Sequence, residues 1–250
     1  MREPNKIIEM KGISKSFGSV QALEDVDFDL YEGEVLALLG DNGAGKSTLI
    51  KIISGLFPYD SGEMTVFGQK VNFRSPQDAQ AMGIETIYQD LALFDNLDVM
   101  ANIFAGRELR AKGLGRLLNL ADRKQMYQEA RQVLDRLGIN IVDYYQDAKN
   151  FSGGQRQSMA IAKAIHWGHR IIIMDEPTAA LGVRETEHLF RLIQELKSQG
   201  VSLLVIMHNI EQVMQIAERA IVLRRGRRVG GVNICEFGPG CYEEIVKMLM

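Results

Sequence analysis

Nine consecutive residues carry the first recognisable chemistry. Gly40, Asp41, Asn42, Gly43, Ala44, Gly45, Lys46, Ser47 and Thr48 satisfy the phosphate-binding pattern G-x-x-x-x-G-K-[ST] in full. Glycines let a backbone wrap phosphates closely, with its N–H groups turned inward as an anion nest. A helix start adds positive partial charge, and Lys46 adds a full charge that reaches the outer phosphates of a triphosphate. The Ser47 hydroxyl is a suitable ligand for a hard Mg²⁺ ion.

Four further positions read as chemistry in that context. Asp175-Glu176 follow the apolar run Ile171-Ile172-Ile173-Met174. A buried-type strand that ends on two acids delivers them to the edge where open parallel sheets bind ligands. Asp175 is then expected to hold Mg²⁺ through water and Glu176 to act as general base. A solvated acidic turn would not explain the apolar strand before it. Gln89 ends the strand-like stretch Ile84 to Tyr88, where an amide can ligate Mg²⁺ and hold an attacking water. Elsewhere such a Gln is only a polar boundary residue. His208 follows the apolar run Val201 to Met207, placed to meet a γ-phosphate, although an isolated His is more often a satisfied polar residue. Ser152-Gly153-Gly154-Gln155 precede the helical run Ser158 to His166, and at a helix N-terminus they form a second anion site rather than a plain turn. One nucleotide does not need two such sites. Two chains completing each other's sites do.

The elements that must position these residues follow from the pattern. Val35 to Leu39 has the length and make-up of a buried parallel strand. Beyond the glycines, Leu49 to Ile53 continues as one helix of about three turns, closed by Gly55. Ile7 to Met10 and Val26 to Leu30 read as strands, with Met64 to Gly68 another after the turn Pro58 to Gly62. From about Asp90 to Trp167 the pattern becomes mostly helical. Leu97 to Phe104 is one short helix, and Asp122 to Leu137 another, with Met126, Ala130, Val133, Leu134 and Leu137 on one face and Gly138 as its stop. The basic stretch Arg107 to Arg116 reads as solvated loop. A helix from about Arg184 to Lys197 points Leu189, Ile193 and Leu196 inward. Ile221 to Leu223 and Arg228 to Val232 form a hairpin around Gly226, with Arg224 to Arg228 as its solvated tip, and Tyr242 to Met250 closes as an amphipathic helix.

Composition agrees with a soluble α/β protein. The chain has 250 residues, 46% of them hydrophobic and 24% charged, enough for one large domain with a real core. A net charge of −3 argues against a nucleic-acid surface, so no nucleic-acid partner is expected. The first six residues lack the apolar core of a signal peptide, and no apolar run is long enough to span a bilayer. Cys235 and Cys241 are read as reduced thiols.

The set Phe17, Gly40 to Thr48, Gln89, Ser152 to Gln155, Asp175-Glu176 and His208, in this order, resembles the ATP-binding subunit of an ABC transporter. The resemblance covers essentially the whole chain. It implies a RecA-like phosphate-loop NTPase core with an N-terminal antiparallel β-subdomain, residues 1–90 and 166–250. It also implies an inserted helical subdomain over about residues 91–165. Phe17, by itself as readily a core aromatic, becomes the stacking platform for adenine. ATP and Mg²⁺ are the implied cofactors. A head-to-tail homodimer would sandwich two ATP molecules, with Ser152 and Gly154 meeting the γ-phosphate held by the opposite chain.

Narrower wording is similar to bacterial importers of ribose, xylose and fructose: Asn96 to Phe104, and Asp175 to Val183 with the phosphate loop. That likeness implies a peripheral protein on the cytoplasmic face of the inner membrane. It would dock on a permease through a groove near Gln89 and the helical subdomain, and serve a periplasmic sugar-binding protein indirectly. Phe151 stands where Leu is usual, and Gly182 and Ala179 where many relatives carry Asp and Ser. Many sugar-importer ATPases fuse two such domains, and a single one would pair with itself. Two other functions compete. A soluble ABC ATPase of translation or DNA repair normally carries two cassettes or a long coiled-coil insertion, and Gln89 to Ser152 is too short for the latter. A monomeric phosphate-loop kinase has no use for Ser152 to Gln155.

Overall fold

The computed structural model describes residues 5–112, 120–139, 141, 143–179, 181–234 and 240–250. Arg116 and Cys235, singled out above, lie outside them. The chain divides into two compact units.

The first unit comprises Met1–Thr86, His169–Ala179 and Phe190–Met250. It holds two sheets. Long strands β1 (Lys6–Phe17) and β2 (Val20–Tyr31) pair antiparallel, and β4 (Ser61–Val66) and β5 (Gln69–Val71) extend them in the order β2-β1-β4-β5. The alternation of Val26 to Leu30 is the cause: Val26, Phe28 and Leu30 are buried, while Asp27 faces solvent.

The second sheet runs β10-β9-β3-β8-β7-β6. Its centre is β3 (Val35–Leu39), buried throughout and parallel to β8 (Ser202–Ile206) and β9 (Arg219–Arg224). β7 (Ile171–Asp175) lies parallel to β8, and β6 (Ile84–Ile87) is the edge. β10 (Arg227–Asn233) returns antiparallel on β9. Parallel strands covered on both faces need continuous apolar runs, which is what Val35 to Leu39 and Ile171 to Met174 supply. Ile8 and Phe28 of one sheet, Leu38 and Ile206 of the other, and Leu49 and Ile53 of helix α1 (Lys46–Ile53) share one hydrophobic cluster.

Several expectations change. α1 has eight residues, closer to two turns than three. A capped helix α2 (Pro76–Ala81) adds to the expected elements, where Ser75 and Asp78 form a complete capping box with Pro76 at the first turn. Helix α7 (Ile210–Ile216), capped by Asn209, is a second addition. β6 stops at Ile87, so Gln89 lies in a turn two residues beyond it, and β8 stops two residues before His208.

The arginine-rich hairpin tip is not solvated as a whole. Arg225 (φ +49°) and Gly226 (φ +77°) make a turn of the primed kind, matched to strand twist. Buried Gly226 donates its N–H to Ala44 O at 3.0 Å and accepts from Glu24 N at 2.8 Å. Arg227 pairs with Glu24, and Arg228 reaches Asp29 at 3.0 Å. Asp29 also takes Arg219 at 3.1 Å. Burial pushes the Asp29 carboxyl up, but Arg219, Tyr31 and Arg228 hold it below its ordinary range. The tip is therefore docked on β2 and on the phosphate loop.

The second unit comprises Ile87–Gly168 and Ala180–Leu189. It contains α3 (Val99–Phe104), α4 (Arg123–Arg136), α5 (Gly153–His166) and the start of α6 (Val183–Ser198). α5 begins five residues earlier than the periodicity indicated. Met126, Ala130, Val133, Leu134 and Leu137 are buried as expected, and Gly138 (φ +62°) ends the run. Arg107 is not a plain loop cation, since its guanidinium lies 5.0 Å from the Trp167 ring centroid. In the first unit, α8 (Gly240–Leu249) buries Cys241, whose thiol donates to Asn233 O at 3.6 Å and Ile234 O at 3.7 Å.

Candidate functional site

In the first unit the phosphate loop joins β3 to α1. Gly40 (φ +150°), Gly43 (φ +79°) and Gly45 (φ +103°) hold conformations that side chains disfavour. Space imposes the same choice: a methyl on Gly40 would collide with the Leu223 carbonyl, and one on Gly45 would lie 2.7 Å from Ala22 O. Asp41, Asn42 and Gly43 form the exposed crown, while Ala44 is buried.

Lys46, 6% exposed, folds back so that Nζ donates to Gly40 O at 2.6 Å and Asp41 O at 3.0 Å. Burial lowers its pKa, against the pull of Glu176, Asp175 and Asp41. Burial and the neighbouring Glu176 raise the pKa of Asp175, against Lys46, Lys51 and His208. Two close carboxylates and a desolvated lysine form a set that gains from an added cation and a polyanion. Ser47 is exposed at the first turn of α1, with Thr48 beside it.

Glu176 occupies a left-handed backbone conformation, φ +48°, anchored by its N–H to Ile206 O at 3.1 Å. A non-glycine residue held there costs about 1–3 kcal/mol, and such strain clusters where a side chain must be aimed. Its Oε1 lies 2.6 Å from His208 Nε2. Phe17, the last residue of β1, is 42% exposed and meets Phe57 edge-to-face at 5.2 Å.

In the second unit, Ser152 caps α5. Its hydroxyl accepts from Gln155 N at 3.3 Å, while Gln155 Oε1 accepts from Ser152 N at 3.0 Å. This capping box fixes the helix start and leaves the hydroxyl proton free to donate outward. The segment lines a cavity of about 310 Å³ together with Glu185 and His188. Glu185 lies tightly over two glycines: a methyl at Gly154 would be 2.7 Å from its Cγ, and one at Gly182 would be 2.7 Å from its Oε2. Gln89 is exposed in this unit, and the loop after it carries two consecutive positive-φ residues, Leu91 and Ala92.

The structure thus brings Lys46, Asp175, Glu176 and His208 together, with Ser47 at the loop. It places Gln89 and Ser152 to Gln155 in the other unit. Phe57 and Glu185 carry no signal in the sequence, and Gly226 reads there only as a hairpin turn, because each matters through a contact distant in the chain. Mg²⁺ ordinarily takes one or two protein oxygens along with substrate phosphates, and Ser47 with Asp175 have the chemistry for that role.

Strand, glycine loop, helix and a strand-borne acid pair define a phosphate-loop nucleotide-binding protein. The family profile for "ABC transporter" matches residues 23–179, and the chain belongs to that family. It is 48% identical to the xylose/arabinose import ATP-binding protein of Sulfolobus acidocaldarius, over 88% of this chain and 86% of that one. It is 44% identical to the fructose import ATP-binding protein of Rhizobium meliloti, over 91% and 88%. A ribose import ATP-binding protein of Rubrobacter xylanophilus is 45% identical over 98% of this chain, which spans about half of that relative's length (47%). The solved structure of a nucleotide-free ATP-binding cassette from an ABC transporter superposes with a TM-score of 0.83, at 25% identity over 97% of this chain and 95% of that one.

Proposed function

We propose that the chain is the ATP-hydrolysing subunit of an importer for a simple sugar, working as a homodimer beneath a membrane permease. The observation that carries the ATPase reading is Glu176, strained into position beside Asp175 and held by His208 at 2.6 Å. Gly40 to Thr48 cradle the phosphates of ATP, with Lys46 exchanging its two carbonyl partners for phosphate oxygens. Phe17 stacks on the adenine. Ser47, Gln89 and Asp175 would hold Mg²⁺, which neutralises charge on the phosphates when bound. Glu176 takes a proton from the attacking water, and His208 orients Glu176 and meets the γ-phosphate. Ser152, Gly153, Gly154 and Gln155 complete the site of a second copy through the first N–H groups of α5.

Residues 1–90 and 166–250 act as catalytic core and about 91–165 as the helical subdomain; compact units that part near residues 86 and 168 support this division, whereas Ala180–Leu189 group with the second unit and depart from it. The sugar rests on the names of the relatives, which specify xylose/arabinose, fructose and ribose import. The subunit is placed as a peripheral protein at the cytoplasmic face of the membrane on the same ground; among the described residues no helix is long and apolar enough to cross a membrane. The test is reconstitution in vesicles with a monosaccharide permease encoded beside it. Sugar-loaded periplasmic binding protein should raise Mg²⁺-dependent ATP hydrolysis several-fold. Absence of hydrolysis sinks the ATPase reading, and indifference to the sugar sinks the importer reading.

Gly182 gives a further prediction. Gly182→Asp sets a second carboxylate against Glu185, whose Oε2 would lie 2.7 Å from the new Cβ, so Glu185 must shift from its place over Gly154 and position 182 becomes coupled to the Ser152 segment. The variant should show greater positive cooperativity in ATP, or slower uncoupled hydrolysis, at little-changed nucleotide affinity. Superimposable rate curves for variant and wild type would show that position 182 carries no coupling.

A further inference from the structure

We infer that Phe57 is a positioning residue for the nucleotide base, keying the Phe17 platform to the helix that begins at the phosphate loop. The inference rests on reading Phe17 as the adenine platform. It comes from how the two rings are held. Gly55 (φ +75°) reverses the chain just past α1, where a methyl would collide with Ser75 O. Leu56 N and Phe57 N then both donate to Lys51 O, at 2.8 and 3.0 Å. Phe57 is thereby fixed to the last turn of α1, and the Lys51 ammonium lies 5.5 Å from its ring centroid. One part of the ring packs on the hydrophobic core. Another meets Phe17 at 5.2 Å and 67°.

The end of β1 is held by the same segment. Asp60 Oδ2 accepts from Ser16 N at 2.7 Å, its Oδ1 takes Lys15 Nζ at 2.6 Å, and Asp60 N donates to Ser14 O at 2.9 Å. Lys15 Nζ in turn lies 5.6 Å from the Phe17 ring centroid. Residues 55–60 therefore grip both the backbone before Phe17 and the ring itself. An exposed phenyl on a strand end would otherwise sample several rotamers. Edge-to-face contact with an anchored ring selects one, so that the base plane and the phosphate nest are set by one rigid helix of about 12 Å. Stacking then requires no rotamer ordering on binding.

The experiment compares ATP with inorganic tripolyphosphate, which has the phosphates and no base. Phe57→Leu keeps apolar bulk on the core, and Phe57→Met serves as a second variant should the first lower the melting temperature. KM for ATP should rise roughly 2- to 10-fold with kcat unchanged, the range expected for losing one aromatic pair. Tripolyphosphate binding should be unchanged. Phe17→Ala should weaken ATP by roughly 5- to 100-fold, and adding Phe57→Leu to it should cost nothing more. Equal losses for ATP and tripolyphosphate would overturn the inference, because Phe57 would then act only through the fold. Full additivity with Phe17→Ala would overturn it too. If Phe17→Ala leaves ATP binding untouched, the platform reading itself fails, and the role of Phe57 falls with it.

Discussion

Glu176→Gln should lower steady-state ATP hydrolysis by roughly 10²- to 10⁴-fold while leaving ATP binding in place. The amide has the shape of the carboxylate, keeps the backbone at the same strained φ of +48°, and still offers an oxygen to His208. What it lacks is a lone pair basic enough to take a proton from water. The comparison therefore isolates proton transfer from positioning. With hydrolysis blocked, a nucleotide shared between two chains persists, so the variant should elute as a dimer in Mg-ATP. A variant that is monomeric there, alongside a wild type that never dimerises, would count against the shared site. A variant that hydrolyses ATP normally would remove Glu176 from the reaction.

Lys46→Ala is expected to abolish hydrolysis and to weaken ATP binding by roughly 10- to 10²-fold, the scale of one charge-assisted hydrogen bond. Lys46 is held by the Gly40 and Asp41 carbonyls before any ligand arrives, and burial lowers its pKa. Exchanging carbonyl dipoles for phosphate charge relieves that desolvation, so the gain is realised only when a polyanion binds. Alanine also removes the largest of the positive charges that offset the raised pKa of Asp175, adding repulsion toward the nucleotide. Equilibrium binding of labelled ATP checks this directly. Tight binding by the variant would sink the phosphate-loop assignment.

What was legible in the sequence was what is local. Val35 to Thr48 specify strand, turn and helix within fifteen residues, and Ile171 to Glu176 do the same for the acid pair, so their geometry follows from short-range rules. The Ser152 cap was legible for the same reason, although its helix started earlier because glycines at 153 and 154 masked the periodicity. The Ser75–Asp78 capping box is likewise a local signal, a Ser followed three residues on by Asp with Pro76 at the first turn. The arginine tip differs. A run of like charges reads as solvated, but Glu24, Asp27 and Asp29, some two hundred residues away, supply the partners that dock it. Phe57 and Glu185 belong with the tip: their neighbours are set by topology rather than spacing.

The hydrogen bond from Gly226 to Ala44 O makes the phosphate loop observable. Gly226 is buried under β2, so its amide proton can exchange with water only when the hairpin tip parts from the loop. Nucleotide that tightens the loop should slow exchange at this one amide more than at its hairpin neighbours. The last thirty residues of the chain thereby contain a natural gauge of occupancy at a site more than 180 positions upstream, one that needs no label and leaves every motif intact.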